Sequence, residues 1–256
     1  MSSVEIGGIT FGCVFGGALL GILIGSKLPQ HHWSSETKDV IRLTMALVGS
    51  LGALVLSLFI TSGKTYHERQ TNELTQMSAK VLLLSQILQL YGPEAIPARQ
   101  SLRAVVGQML VRTWPDERSE NAKISPGTVR PEIVFDQIAG LKPKEDKERL
   151  LQSQASSLLL NLGELRWLLI EETAVRINPL VVIVLDFWLT CIFLSWGLYS
   201  PRNATALTAL FVTALSLSAA ILLIVELYTP YTGLLRVSSE PLRIAYETLA
   251  HELQLP

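Results

Sequence analysis

The most telling chemical group in this chain is a carboxylate in the middle of an apolar run. Between Arg176 and Arg202 the only charge is Asp186, about 12 Å in from Asn178 at 1.5 Å of helix rise per residue. If that run crosses a membrane, an ionised side chain facing lipid costs roughly 2.5–3.5 kcal/mol, so Asp186 must face protein or water. It is then either a station on an ion or proton path or a structural hydrogen-bonding group between helices. Arg202 stands at the end of the same run, in Ser200-Pro201-Arg202-Asn203. Ser200 or Asn203 can cap a helix starting there, and Pro201 suits a first helical turn. A guanidinium beside a helix N-terminus attracts anions; the competing reading is an arginine that locks the turn onto backbone or a carboxylate. Glu226 closes the next apolar run and reads by default as a solvated or headgroup-paired carboxylate. His67, whose side chain titrates near neutrality, is the candidate pH sensor.

Other chemistries find no foothold. His31 and His32 are adjacent, but no further ligand stands at a diagnostic spacing, so no metal and no cofactor is expected. No phosphate-cradling glycine loop, Cys-x-x-Cys, His-Glu-x-x-His or Gly-x-Ser-x-Gly occurs, which argues against an enzyme. A net charge of -1 without a dense basic run argues against nucleic acid as a partner. Cys13 and Cys191 both fall in apolar segments and read as small buried residues.

The elements that must position these groups are apolar helices. The chain is 49% hydrophobic and 17% charged, too apolar for a soluble domain of this length. The expected fold is all-α and polytopic, with four transmembrane helices near 6–28, 43–63, 179–199 and 204–227. Residues 1–63 and 179–227 form two transmembrane hairpins, and the connection from Lys27 to Arg42 reads as a polar loop. The first span carries two glycine ridges at helical spacing: Gly8, Gly12 and Gly16 on one, Gly17, Gly21 and Gly25 on the other. Such ridges allow close helix approach and serve packing within a subunit, assembly of subunits or a pore lining.

Residues 64–178 hold most of the charge and form a cytoplasmic helical region. Leu74, Met77, Val81, Leu84, Leu88 and Tyr91 recur at spacings of three and four, and Leu151, Ala155, Leu158, Leu162, Leu165 and Leu169 repeat the device. The second and third spans are therefore expected to continue as long helices that pack on each other in a bundle. Gly92-Pro93 ends the first of them, and Asn178-Pro179 interrupts or kinks the second. Shorter helices are expected around Ala98 to Val111 and Glu132 to Leu141, with loop from Trp114 to Pro131. Residues 228–256 end in a helix that starts at Ser239-Glu240-Pro241 and packs through Leu242, Ala245, Tyr246 and Leu249. Lys64, Arg69, Lys80, Arg166, Arg176, Arg236 and Arg243 outnumber Lys27, Lys38, Arg42 and Arg202, which places both termini and the helical region in the cytoplasm.

Several of these segments together resemble the bestrophin-like domain family of bacterial membrane proteins. They are Ser200-Pro201-Arg202-Asn203, a fourth span ending in Glu226-Leu227, and Pro230-Tyr-Thr-Gly-Leu-Leu-Arg-Val-Ser-Ser followed by Pro241-Leu242. Leu28-Pro29 through His32 and Asp39 add to it. The resemblance implies four spans, a cytoplasmic helical region and a distant relationship to bestrophins, which are oligomeric anion channels.

The sequence therefore points to a homo-oligomeric ion channel of the bacterial inner membrane, with four or five copies expected and membrane lipids and permeant inorganic ions as its partners. Asp186, Arg202, Asn203 and Glu226 are candidates for the ion pathway or its selectivity. The rival expectation is a non-conducting membrane scaffold or sensor whose cytoplasmic bundle binds a partner.

Overall fold

The computed structural model describes residues 2–27, 35–115, 117, 130–172, 179–231 and 233–253, and among them all regular structure is helical. The helices are α1 (Ser3–Gly25), α2 (Ser35–Tyr91), α3 (Ile96–Thr113), α4 (Glu132–Ala139), α5 (Asp146–Glu172), α6 (Pro179–Tyr199), α7 (Ala204–Leu227) and α8 (Glu240–Glu252). Four of them, α1, α2, α6 and α7, are long and apolar enough to cross a membrane. The chain divides into two compact units, Met1–His67 with Val175–Arg236 and Glu68–Ala174 with Val237–Pro256.

Two helix starts lie earlier than the charge pattern suggests. α1 begins at Ser3 because Ser2 and Glu5 form a capping box: the Ser2 hydroxyl accepts from Glu5 N–H, and the Glu5 carboxylate accepts from Ser2 N–H. α2 begins at Ser35, so half of the expected polar loop from Lys27 to Arg42 is helix. Glu36, Lys38 and Arg42 are polar but sound helix formers, and polarity alone does not break a helix. His31 and His32 lie outside the described residues, as do most of the Trp114–Pro131 connection and Asn178 of the expected kink.

In the first unit, α1 packs most extensively on α6 and next on α7. The core between them holds Val14, Ala18, Leu189, Phe193, Ala214 and Ile221. The glycine ridge Gly17, Gly21, Gly25 explains how α1 and α6 come so close. A methyl group at Gly21 would overlap the Leu194 carbonyl, one at Gly25 the Leu198 carbonyl, and one at Gly197 of α6 the Ala18 carbonyl. Backbone meets backbone with no side chain between. The other ridge behaves differently: a methyl group at Gly8, Gly12 or Gly16 would meet nothing within 4 Å. Cys13, expected to be buried, is exposed on α1.

In the second unit the stripes read from the sequence form its core. Leu74, Met77, Val81, Leu84, Leu88 and Tyr91 of α2 are all buried, as are Leu151, Ala155, Leu162, Leu165 and Leu169 of α5, while Leu158 of the same stripe is only half-buried. Gly92 ends α2 at φ 118°, a conformation that costs glycine little and other residues more. α8 is fixed at both ends. Near its start Arg243 and Ser239 both donate to Glu117 Oε2, at 2.8 and 2.6 Å. Near its end Glu252 Oε2 accepts from Arg99 at 2.9 Å and from Ser85 at 2.8 Å. The Ser239 side chain, busy with Glu117, makes no cap; Ser238 Oγ accepts from Glu240 N–H instead.

Candidate functional site

The first unit holds most of the polar groups singled out above, each set by a particular helix. Asp186 lies on the α6 face turned to α1, where Thr10 is fully buried. The Thr10 hydroxyl donates to Asp186 Oδ1 at 2.9 Å and lies 3.1 Å from Oδ2. One proton serves two carboxylate oxygens, so the Asp186 carboxylate keeps acceptor capacity that no described residue uses. Thr190, one turn on, donates to the Asp186 carbonyl at 2.7 Å and packs against Gly17. Asp186 is half-buried and in no ion pair among the described residues. The sequence located the carboxylate and missed Thr10, which lies far away in the chain. The available signal was that Gly7, Thr10, Val14, Gly17 and Ala18 share one small-residue face of α1.

Arg202 and Asn203 separate. Asn203 is the N-cap of α7, its side-chain oxygen accepting from Ala206 N–H at 2.8 Å. The helix starts at Ala204, so Pro201 lies before the cap and not in the first turn. Arg202 is exposed and pairs with no carboxylate among the described residues, so the turn is locked by Asn203 and not by the guanidinium.

Glu226 is not solvated: only 2% of it is exposed. Its Oε2 accepts from Leu234 N–H at 2.6 Å and Leu235 N–H at 3.1 Å. The backbone carries these amides to the carboxylate through Gly233, whose φ is 93°; a methyl group there would collide with the carboxylate. The Gly233–Leu235 backbone is therefore shaped around the buried Glu226 carboxylate, a pairing sequence spacing did not reveal. His67 reaches the same loop, its Nε2 lying 3.0 Å from the Leu235 carbonyl. A carbonyl only accepts, so Nε2 carries the proton in this bond. Beside it, Tyr66 stacks on Tyr228 at 5.8 Å, and Gly63 makes room for Leu227 and Tyr228.

A further feature is the membrane-length half of α2. Only 6% of its apolar window is buried, against 33%, 33% and 28% in α1, α6 and α7. One face, including Met45, Val48, Val55 and Phe59, packs on the α1–α6–α7 core. The opposite face presents Leu43, Leu47, Ser50, Leu54, Ser57 and Thr61 at alternating spacings of four and three, all exposed. Ser50 and Thr61 return their hydroxyls to the Ala46 and Ser57 carbonyls at 2.9 Å, while the Ser57 hydroxyl has no partner among the described residues. The sequence reading took this stretch for a plain span because its hydroxyls do not interrupt hydropathy.

Long apolar helices, backbone-to-backbone packing through glycine and a half-buried carboxylate on a spanning helix define an all-helical membrane protein. Residues 12–242 match the bestrophin-like domain, and the chain belongs to that family. Neither the curated proteins nor the solved structures give a match.

Proposed function

We propose that this protein is a homo-oligomeric ion channel of the bacterial cytoplasmic membrane and not an enzyme, with the exposed α2 face turned toward a symmetry axis. The observation that carries this reading is that face itself: leucines interspersed with Ser50, Ser57 and Thr61 along a helix long enough to span, unburied in the single chain. Facing lipid, an unpartnered Ser57 hydroxyl gains nothing for its desolvation; repeated around an axis it lines a path with alternating apolar and hydroxyl rings. A closed ring of four or five copies suits such a seam. Membership of the bestrophin-like family supports a channel, and the Lys and Arg count supports cytoplasmic termini and a cytoplasmic helical unit.

The sign of the permeant ion rests on two groups. Arg202, exposed and in no ion pair among the described residues, lies beside the α7 N-terminus and favours anions. Asp186, with acceptor capacity to spare, favours cations or protons. Purified protein in liposomes tests conduction directly: ion flux above protein-free controls supports the channel, and none across pH and potential overturns it. The rival, a non-conducting scaffold or sensor, is favoured by the apolar groove of the second unit. It requires that conduction be absent while polar changes at Leu84 or Leu162 abolish function.

A further inference from the structure

The second unit carries an apolar groove and, on the other side of α2, a helix face unlike an ordinary solvated surface. The groove has a volume of about 390 Å³ and is lined by Met77 and Val81 of α2, Val106 of α3, Phe135 of α4 and Leu160 and Trp167 of α5. Three of these walls stand open to solvent, with Phe135 43%, Leu160 65% and Trp167 68% exposed. Single exposed apolar side chains are ordinary, but a cluster around a concavity marks a contact site. Glu132 and Glu164 sit at its rim with Arg166, and none of the three has an ion-pair partner among the described residues.

The opposite side of α2 supplies a matching surface. Leu90 lies two and a half turns beyond Val81 and so points away from the groove, as does Leu83; they are 65% and 46% exposed, while Met77 and Val81 are buried. From Asn72 to Leu90 the only charged residues are Glu73 and Lys80, and the exposed positions of that stretch include Gln76, Ala79, Leu83 and Gln86. Solvent faces of water-soluble helices are normally charged, whereas interface cores are depleted of charge. Lys80, one turn before Leu83, has no ion-pair partner among the described residues, while the groove rim carries two carboxylates to one guanidinium.

We propose that the Leu83–Leu90 face of α2 in one copy inserts into the Phe135–Leu160–Trp167 groove of the next, with Lys80 meeting Glu132 or Glu164. The occupant is a second copy of this chain, because the apolar face carries a lysine, the groove rim carries an excess of carboxylate, and both surfaces are left over on the same unit. A knob on one side and a socket on the other make a head-to-tail contact, which closes into a ring when the rotation permits. This rests on the homo-oligomeric reading above and adds a second seam to it.

The test uses full-length protein with Cys13→Ala and Cys191→Ala. Two differently tagged forms, one with Leu90→Cys and the other with Leu160→Cys, are co-expressed in membranes and oxidised. Cys13, Leu54, Leu90 and Leu160 are exposed and Cys191 and Lys80 half-buried, so each variant is first required to unfold at the wild-type midpoint. A chain with Leu54→Cys reports separately on whether α2 faces α2 across an axis. The expected result is a disulfide-linked band carrying both tags, reduced several-fold by Lys80→Glu. Cross-linking through Leu54→Cys without any mixed-tag band overturns the knob-and-socket seam and leaves the oligomer standing. Tags that pair only with themselves at Leu90→Cys also overturn it, since they require a two-fold contact. Cross-links at neither place overturn both readings.

Discussion

The Thr10 hydroxyl reaches both carboxylate oxygens of Asp186, at 2.9 and 3.1 Å, joining two apolar helices where no other polar side chain among the described residues bonds either group. A hydrogen bond to a charged acceptor is worth about 1.5–3 kcal/mol. Thr10→Val keeps the shape and removes the donor, so it is expected to destabilise the protein by that order, read as a lowered midpoint of thermal unfolding in detergent. Asp186→Asn keeps an acceptor oxygen for Thr10 and should unfold close to wild type. A Thr10→Val protein as stable as wild type would show that the bond contributes nothing to the fold.

The two glycine ridges of α1 predict opposite outcomes for the same substitution. Gly21→Ala drives a methyl group into the Leu194 carbonyl and should cost at least about 1–3 kcal/mol, the range for overpacking. Gly12→Ala meets open space and should leave the unfolding midpoint unchanged or slightly raised, because alanine favours helix. Equal losses at both positions would contradict the packing of α1 on α6.

Glu226 and Gly233 form one device. Gly233→Ala combines a left-handed backbone with a collision against the carboxylate, and is expected to cost about 1–3 kcal/mol. Glu226→Ala leaves the Leu234 and Leu235 amides without their acceptor and should expose the 228–236 stretch to protease. Limited proteolysis with mass-spectrometric mapping checks both; unchanged cleavage in Glu226→Ala would contradict the anchoring role.

At the turn between α6 and α7, Asn203→Ala removes the α7 cap at a cost of about 1 kcal/mol, whereas Arg202→Ala should not alter the unfolding midpoint. A larger loss for Arg202→Ala would mean that the guanidinium holds the turn.

The spans were legible because uncharged runs of some twenty residues have few other uses, and the α2 and α5 stripes because a helical period survives any charge on the opposite face. The start of α2 was not legible: Glu36, Lys38, Asp39 and Arg42 resemble a loop by charge, and helix formers of that kind declare themselves only in context. Glycine spacing announced two ridges, but which of them meets α6 depends on the rotation of α1, which Thr10 and Asp186 help set. The burial of Glu226 was hidden for a related reason. Backbone amides leave no mark in a sequence, and Pro230 and Gly233 signalled only that the span breaks there.

The most direct test of conduction is single-channel recording of purified protein in planar bilayers under a KCl gradient, with wild type beside Asp186→Asn, Arg202→Ala and Ser57→Ala. The expected result is discrete current steps whose reversal potential gives the sign of the permeant ion. A shift of that potential in Asp186→Asn or Arg202→Ala would identify the group that selects it, and a change of conductance in Ser57→Ala would put α2 on the path. Silent bilayers from a folded oligomer would contradict the channel.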